Sequence, residues 1–183
     1  DAQLFHDLGE VHLRKGEVDA AIDNSLKAVA LEPSYPSAHH NAAVAYFSQQ
    51  RPRKALQHAN RALSFNPHRA DTRVIRARSL VALSRRDEAA REFRRALAAG
   101  ADAAEGRSHF GQLLLAMGKY DEAVEQLSEA ARRLPADFWT VYDLGRAHRG
   151  RGELEKALGL FTRARQIDPG RHEALNAMGA IYN

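Results

Sequence analysis

Nine histidines and 23 carboxylates are the side chains of this sequence with most chemistry to offer. Histidine ligates transition metals and moves protons near neutral pH, and carboxylates in pairs serve acid and base catalysis. The spacing argues against both uses. His6, His40 and His109 stand far apart, with no carboxylate partner at metal-ligand intervals, and cysteine is absent. No metal site and no cofactor is expected. Asp87 with Glu88, and Asp121 with Glu122, fall where helices should begin, so their charge suits the helix dipole and needs no catalytic reading. No nucleophile elbow, HExxH pair, Walker loop or dinucleotide fingerprint occurs. The chain is expected not to be an enzyme.

Arginine is the other chemically marked residue, with nine between positions 69 and 95. Such a concentration raises nucleic acid as a partner. Arg91, Arg94 and Arg95, however, recur at helical spacing beside Glu88 and Glu92, as on a solvated outer face. No exposed aromatics interleave with them to stack on bases, so no nucleic acid is expected. No apolar run approaches the roughly 18 residues of a membrane span. Zero cysteines exclude disulfides and thiolate catalysis but leave the compartment open, with the cytoplasm slightly favoured. The chain opens at Asp1 with neither a methionine nor a signal-like apolar segment, as a trimmed or processed chain would.

What must position these groups is a repeat of 34 residues. Alanine stands at 21, 55, 89, 123 and 157, and again at 28, 62, 96, 130 and 164. A third column reads Gly9, Ala43, Ala77, Gly111, Gly145, Gly179, and a fourth reads Pro33, Pro67, Ala101, Pro135, Pro169. A fixed period of this length is the mark of a stacked array. Each unit holds two amphipathic helical patterns and a prolyl break, with no strand-like alternation. In the fifth unit the first helix is predicted over 138–151, Gly152 caps it in the left-handed conformation, and the second runs from Leu154 to Ile167. Pro52 is expected at the first turn of a second helix. The small columns let backbones approach, and Leu8, Phe110, Leu144, Phe93, Leu127 and Phe161 should fill the space between.

Those columns, and above all residues 110–135 (FGQLLLAMGKYDEAVEQLSEAARRLP) and 144–169, resemble the tetratricopeptide repeat family over essentially the whole chain. Five full repeats are counted, at 2–35, 36–69, 70–103, 104–137 and 138–171, with the first helix of a sixth at 172–183, in a single domain spanning 1–183. The sixth either caps the array or marks a cut. Leu175, Met178, Gly179 and Tyr182 keep their repeat places, which leans towards the cut. The third repeat departs most, with Arg73 and Arg76 where the family places apolar side chains. The resemblance implies an all-α, right-handed superhelix of antiparallel helix pairs, about eleven helices, whose concave groove is lined by the first helices.

A helix turns 100° per residue, so in the fifth repeat Val141, Leu144, Gly145 and His148 share one side. Trp139, Tyr142, Asp143, Arg146 and Arg149 share the other, the expected groove stripe. By the same register His40 and Asn41 face the groove from the second repeat, Val74 and Arg78 from the third, His109 and Gln112 from the fourth. These eleven residues are the expected partner-binding set, with Trp139, Tyr142 and Arg146 leading because aromatics and arginine dominate interface hot spots. A second role is open for Trp139, as a plug against Leu134 and Pro135 at the repeat junction. His12 and His148 share a column with Tyr46 and Leu80 and should sit at the core edge.

A protein or peptide ligand is the expected partner. The receptors that clamp acidic chaperone tails need Lys, Asn and Arg at set groove places. Only Asn41 matches, with His6, Glu10, Asp71 and Ile75 at the others, so a carboxylate clamp is not expected. The expectation is a non-enzymatic interaction scaffold. The alternatives are a substrate-recruiting arm of a larger enzyme and a scaffold that assembles with copies of itself.

Overall fold

A computed structural model describes residues 1–101 and 104–182. Eleven α-helices and no strands are found among them. The helices fall into two compact units, Asp1–Ala101 and Asp102–Asn183. The division lies where Ala101 replaces the repeat proline. The first unit holds α1 (Ala2–Lys15), α2 (Val18–Leu31), α3 (Pro36–Ser48), α4 (Pro52–Phe65), α5 (Ala70–Ala82) and α6 (Arg86–Ala98). The second holds α7 (Ala104–Ala116), α8 (Tyr120–Arg133), α9 (Phe138–Gly150), α10 (Leu154–Ile167) and α11 (His172–Tyr182). Within each unit every helix packs on its chain neighbours, and successive first helices also touch: α1 with α3, α3 with α5, α7 with α9. None of the described helices is long and apolar enough to cross a membrane.

Local chemistry sets the helix ends. Asp1 and Asp137 accept hydrogen bonds from the first-turn amides of α1 and α9, and Pro36 and Pro52 occupy first turns that have no need of their N–H. The hairpin turns share one geometry. Residues 16, 50, 84, 118 and 152 all take positive φ, between 58° and 80°, and the next amide reaches back to the end of the first helix, as from Glu153 N to His148 O at 3.0 Å. Glycine serves at three of these places. Gln50 and Ser84 adopt the same conformation without the freedom glycine has.

The repeat columns are the core. All ten column alanines of the second helices are at most 1% exposed. A methyl there is as large a side chain as the close helix approach admits. Glycine marks still closer approach: a Cβ at Gly111 would lie 2.4 Å from Leu127 Cγ, and one at Gly145 would lie 2.7 Å from Phe161 Cε1. Phe93, Phe110, Leu127, Leu144 and Phe161 are buried as expected. Leu8 is not, at 38% exposed. Gly179 likewise has nothing within 4 Å of a built Cβ among the described residues.

The third repeat resolves its misplaced arginines through a carboxylate. Glu92 on α6 is 3% exposed and accepts from Arg73 at 3.0 Å, with Arg76 at 3.1 Å and Arg95 at 2.8 Å. Arg73 also donates to Pro67 O at 2.7 Å. A buried carboxylate is tolerated only when paired and hydrogen-bonded, and here three guanidinium groups meet that need.

Candidate functional site

In the first unit the expected groove residues lie along α3 and α5. His40 is nearly enclosed, with its Nδ1 2.9 Å from Thr72 Oγ1 and its Nε2 3.6 Å from Asp71. Burial pushes its pKa down to about 4, although Asp71 pulls the other way. Asn41 is 5% exposed, its amide 3.4 Å from His6 O on α1. Both therefore tie neighbouring first helices together. Val74 is half-buried, and the half-buried Arg78 lays its guanidinium over Phe47, 4.5 Å from the ring centroid.

In the second unit the set divides. Asp143 is 3% exposed and hydrogen-bonded by Arg146 at 2.9 Å; burial raises its pKa, while Arg146 and Gln112 offset part of the rise. Tyr142 is half-buried, stacked on Phe138 at 5.7 Å and tilted on the fully buried Phe161 at 5.4 Å. Arg146 and Arg149 reach solvent. Trp139 is 40% exposed. Its ring meets Phe138 edge-on, and the Arg171 guanidinium, from the segment before α11, lies 4.9 Å from its centroid.

The exposed part of Trp139 borders a cavity of ≈170 Å³ between α7 and the start of α9. Glu105, Ser108, His109 and Gln112 line it from α7, and Leu134, Asp137, Trp139 and Thr140 from the other side. Ser108 and Thr140, both buried lining residues, share one hydrogen bond between their hydroxyls at 2.8 Å. His109, Gln112 and Trp139 thus come together as one site, whereas Asp143 and Tyr142 support it from within the packed layer. Glu105, Leu134, Asp137 and Thr140 complete it. The repeat register put Leu134 at the junction, and nothing in it joined the four. A wider, polar depression of ≈480 Å³ lies at the hairpin turns around Tyr120 and Gly150.

The histidines do structural work elsewhere. His12 bonds Glu17 at 2.5 Å and His148 bonds Glu153, each closing its hairpin turn by joining the end of the first helix to the start of the second. His39 and His58 pair through their Nδ1 atoms at 3.1 Å, with His39 Nε2 on Pro33 O at 3.1 Å. No group of three or more metal-ligating side chains occurs among the described residues.

Family models described as tetratricopeptide repeat match residues 76–135, 108–172 and 36–69, and one described as TPR repeat matches 9–50. No curated protein matches the sequence. Among solved structures, the chain is similar to YrrB, described as a TPR protein with an unusual peptide-binding site, at 24% identity and a TM-score of 0.80, covering 98% of this chain and 92% of that one. MamA matches at 20% identity and a TM-score of 0.76, over 92% of each chain. TTC0263, described as a thermophilic TPR protein of Thermus thermophilus, matches at 19% identity and 0.71, over 100% and 99%. At these identities the likeness establishes the fold alone.

Proposed function

The chain belongs to the tetratricopeptide repeat family, and from that premise we propose that it is a non-enzymatic scaffold whose first-helix faces dock a peptide or a partner protein. The observation that carries this reading is the cavity beside Trp139. A 40%-exposed indole borders a recess, with Arg146 and Arg149 on the same helix reaching water. An amphipathic aromatic side chain beside a pocket is the usual anchor of an interface. Arg171 lies over one part of the ring, and a contact that narrows the ring's orientations lowers the entropy lost on binding. That YrrB is described by its peptide-binding site is consistent with this use of the fold.

The test is selection of a random-sequence peptide display library on the protein, followed by affinity measurements on the enriched peptides with wild type and Trp139→Ala. The expected loss is about 2 kcal/mol or more, the size of a hot-spot truncation, at a melting temperature close to wild type. Unchanged affinity in a folded Trp139→Ala protein removes the site. Failure of the library to enrich any sequence removes the peptide-docking reading.

A further inference from the structure

We propose that the cavity between α7 and α9 receives the cationic side chain, arginine or lysine, of a basic segment in the docked partner. The inference rests on the docking function above and names its chemistry. Size narrows the occupant first. At ≈170 Å³ the recess is well under the roughly 300–1,000 Å³ of small-molecule sites, so it suits one side chain rather than a metabolite.

The lining then selects which side chain. Leu134 and the indole of Trp139 form an apolar wall that suits a methylene stem, and a tryptophan face attracts a cation more than any other ring does. Glu105 and Asp137 stand at the rim, both exposed, and no basic side chain pairs with either among the described residues. Asp137 uses Oδ2 to accept the Thr140 amide at 2.7 Å, which leaves its other oxygen for a ligand. The nearby arginines are engaged elsewhere: Arg107 donates to Gln126 at 2.7 Å, Arg146 to Asp143, and Arg171 to Asp168 at 2.8 Å. An acidic side chain would therefore meet two carboxylates, with His109 the only basic group in the lining. The molecule supplies its own precedent, since Arg171 already lies over this indole from outside the cavity.

Trp139 is the only tryptophan, so its indole N–H gives a single, assigned NMR resonance. The full chain is titrated at low salt with three probes: Nα-acetyl-arginine amide, Nα-acetyl-norleucine amide and Nα-acetyl-glutamate amide. The expected result is a saturable shift of the Trp139 resonance with the arginine probe alone. The Glu105→Gln, Asp137→Asn double variant should weaken that binding about tenfold, as loss of two charges facing a cation requires. Asparagine also caps helices, so α9 keeps its start. Equal shifts with norleucine, no shift with arginine, or an arginine shift unaltered in the folded double variant overturns the proposal. Peptides from the library selection separate this failure from that of the docking function. Enriched peptides that depend on Trp139 but share an apolar or acidic anchor leave docking intact and refute only the basic-segment assignment.

Discussion

Two helix-interior glycines of the second unit make opposite predictions about one substitution. Gly145 in α9 faces Phe161: a Cβ there would sit 2.7 Å from Cε1, 2.9 Å from Cδ1 and 3.3 Å from Leu160 Cβ. Phe161 is fully buried, with Tyr142 tilted over it and Ala157, Ala164 and Val141 in the same cluster, so it has no open side to swing towards. Gly159 in α10 has nothing within 4 Å of its built Cβ. Replacing either by alanine gains the same helix propensity, about 1 kcal/mol. The gain cancels in the comparison, which leaves the overpacking at Gly145, about 1–3 kcal/mol. Gly159→Ala should raise the melting temperature by about 2–4 °C, and Gly145→Ala should fall below it by about 2 to 12 °C at the usual conversion for this chain length. Circular dichroism melts and urea titrations of both variants measure the difference directly. Phe161→Leu introduced with Gly145→Ala should recover part of the loss, because the two sites share one contact. If Gly145→Ala is as stabilising as Gly159→Ala, the glycine column is not set by close helix approach.

Three further perturbations test the polar interior. Glu92→Gln strips the shared counter-charge from Arg73 and Arg76 and should cost about 2–3 kcal/mol in urea unfolding, with little dependence on salt because the carboxylate is buried. Replacing Arg73, Arg76 and Glu92 together by leucine should restore stability to wild type or above, since an apolar cluster needs no compensation. Burial holds both His40 and His58 at a pKa of about 4, with His39 and Lys54 adding to the shift at His58 and Asp71 opposing it at His40. They are neutral in the fold, while the unfolded chain takes up protons below about pH 6.5. Their contribution is complete above about pH 6.5 and is lost as pH falls towards 4, by up to about 1.4 kcal/mol per pH unit for His40 and by less for the more solvent-screened His58. His58→Gln should flatten the pH dependence of unfolding between those limits, and an unchanged slope would show that His58 titrates normally.

The period, the helix pairs and the approximate bounds of α10 were legible because the alanine columns report a distance. Wherever two helices approach closely, only a methyl or a hydrogen fits, and that constraint recurs every 34 residues whatever else changes. Which first-helix side chains stay exposed was less legible. A helical wheel weighs α9 against its hairpin partner α10 and so leaves Asp143 outward. The wheel omits the neighbouring first helix, and α7 packs beside α9 and brings Gln112 to that carboxylate. The same omission hid Asn41, which reaches α1. A signal for other contacts between first helices was present: His40 with Thr72, and Ser108 with Thr140, are polar pairs 32 residues apart, while His6 and Tyr142 meet only alanine at that offset, at 38 and 174.

The third repeat shows why such signals must be read in pairs. Arg73 and Arg76 break the apolar pattern of α5, and Glu92 breaks that of α6, 19 and 16 residues later. Each alone would place an uncompensated charge in the packed layer; together they form one network. Gln50 and Ser84 follow a different logic. They hold left-handed turns in the column where Gly16, Gly118 and Gly152 would be unstrained, and no side-chain partner is needed, because the return bond across the turn fixes the backbone. Polar departures inside a helix layer therefore require a second residue that changed with them, whereas departures at a turn require only a backbone that already closes.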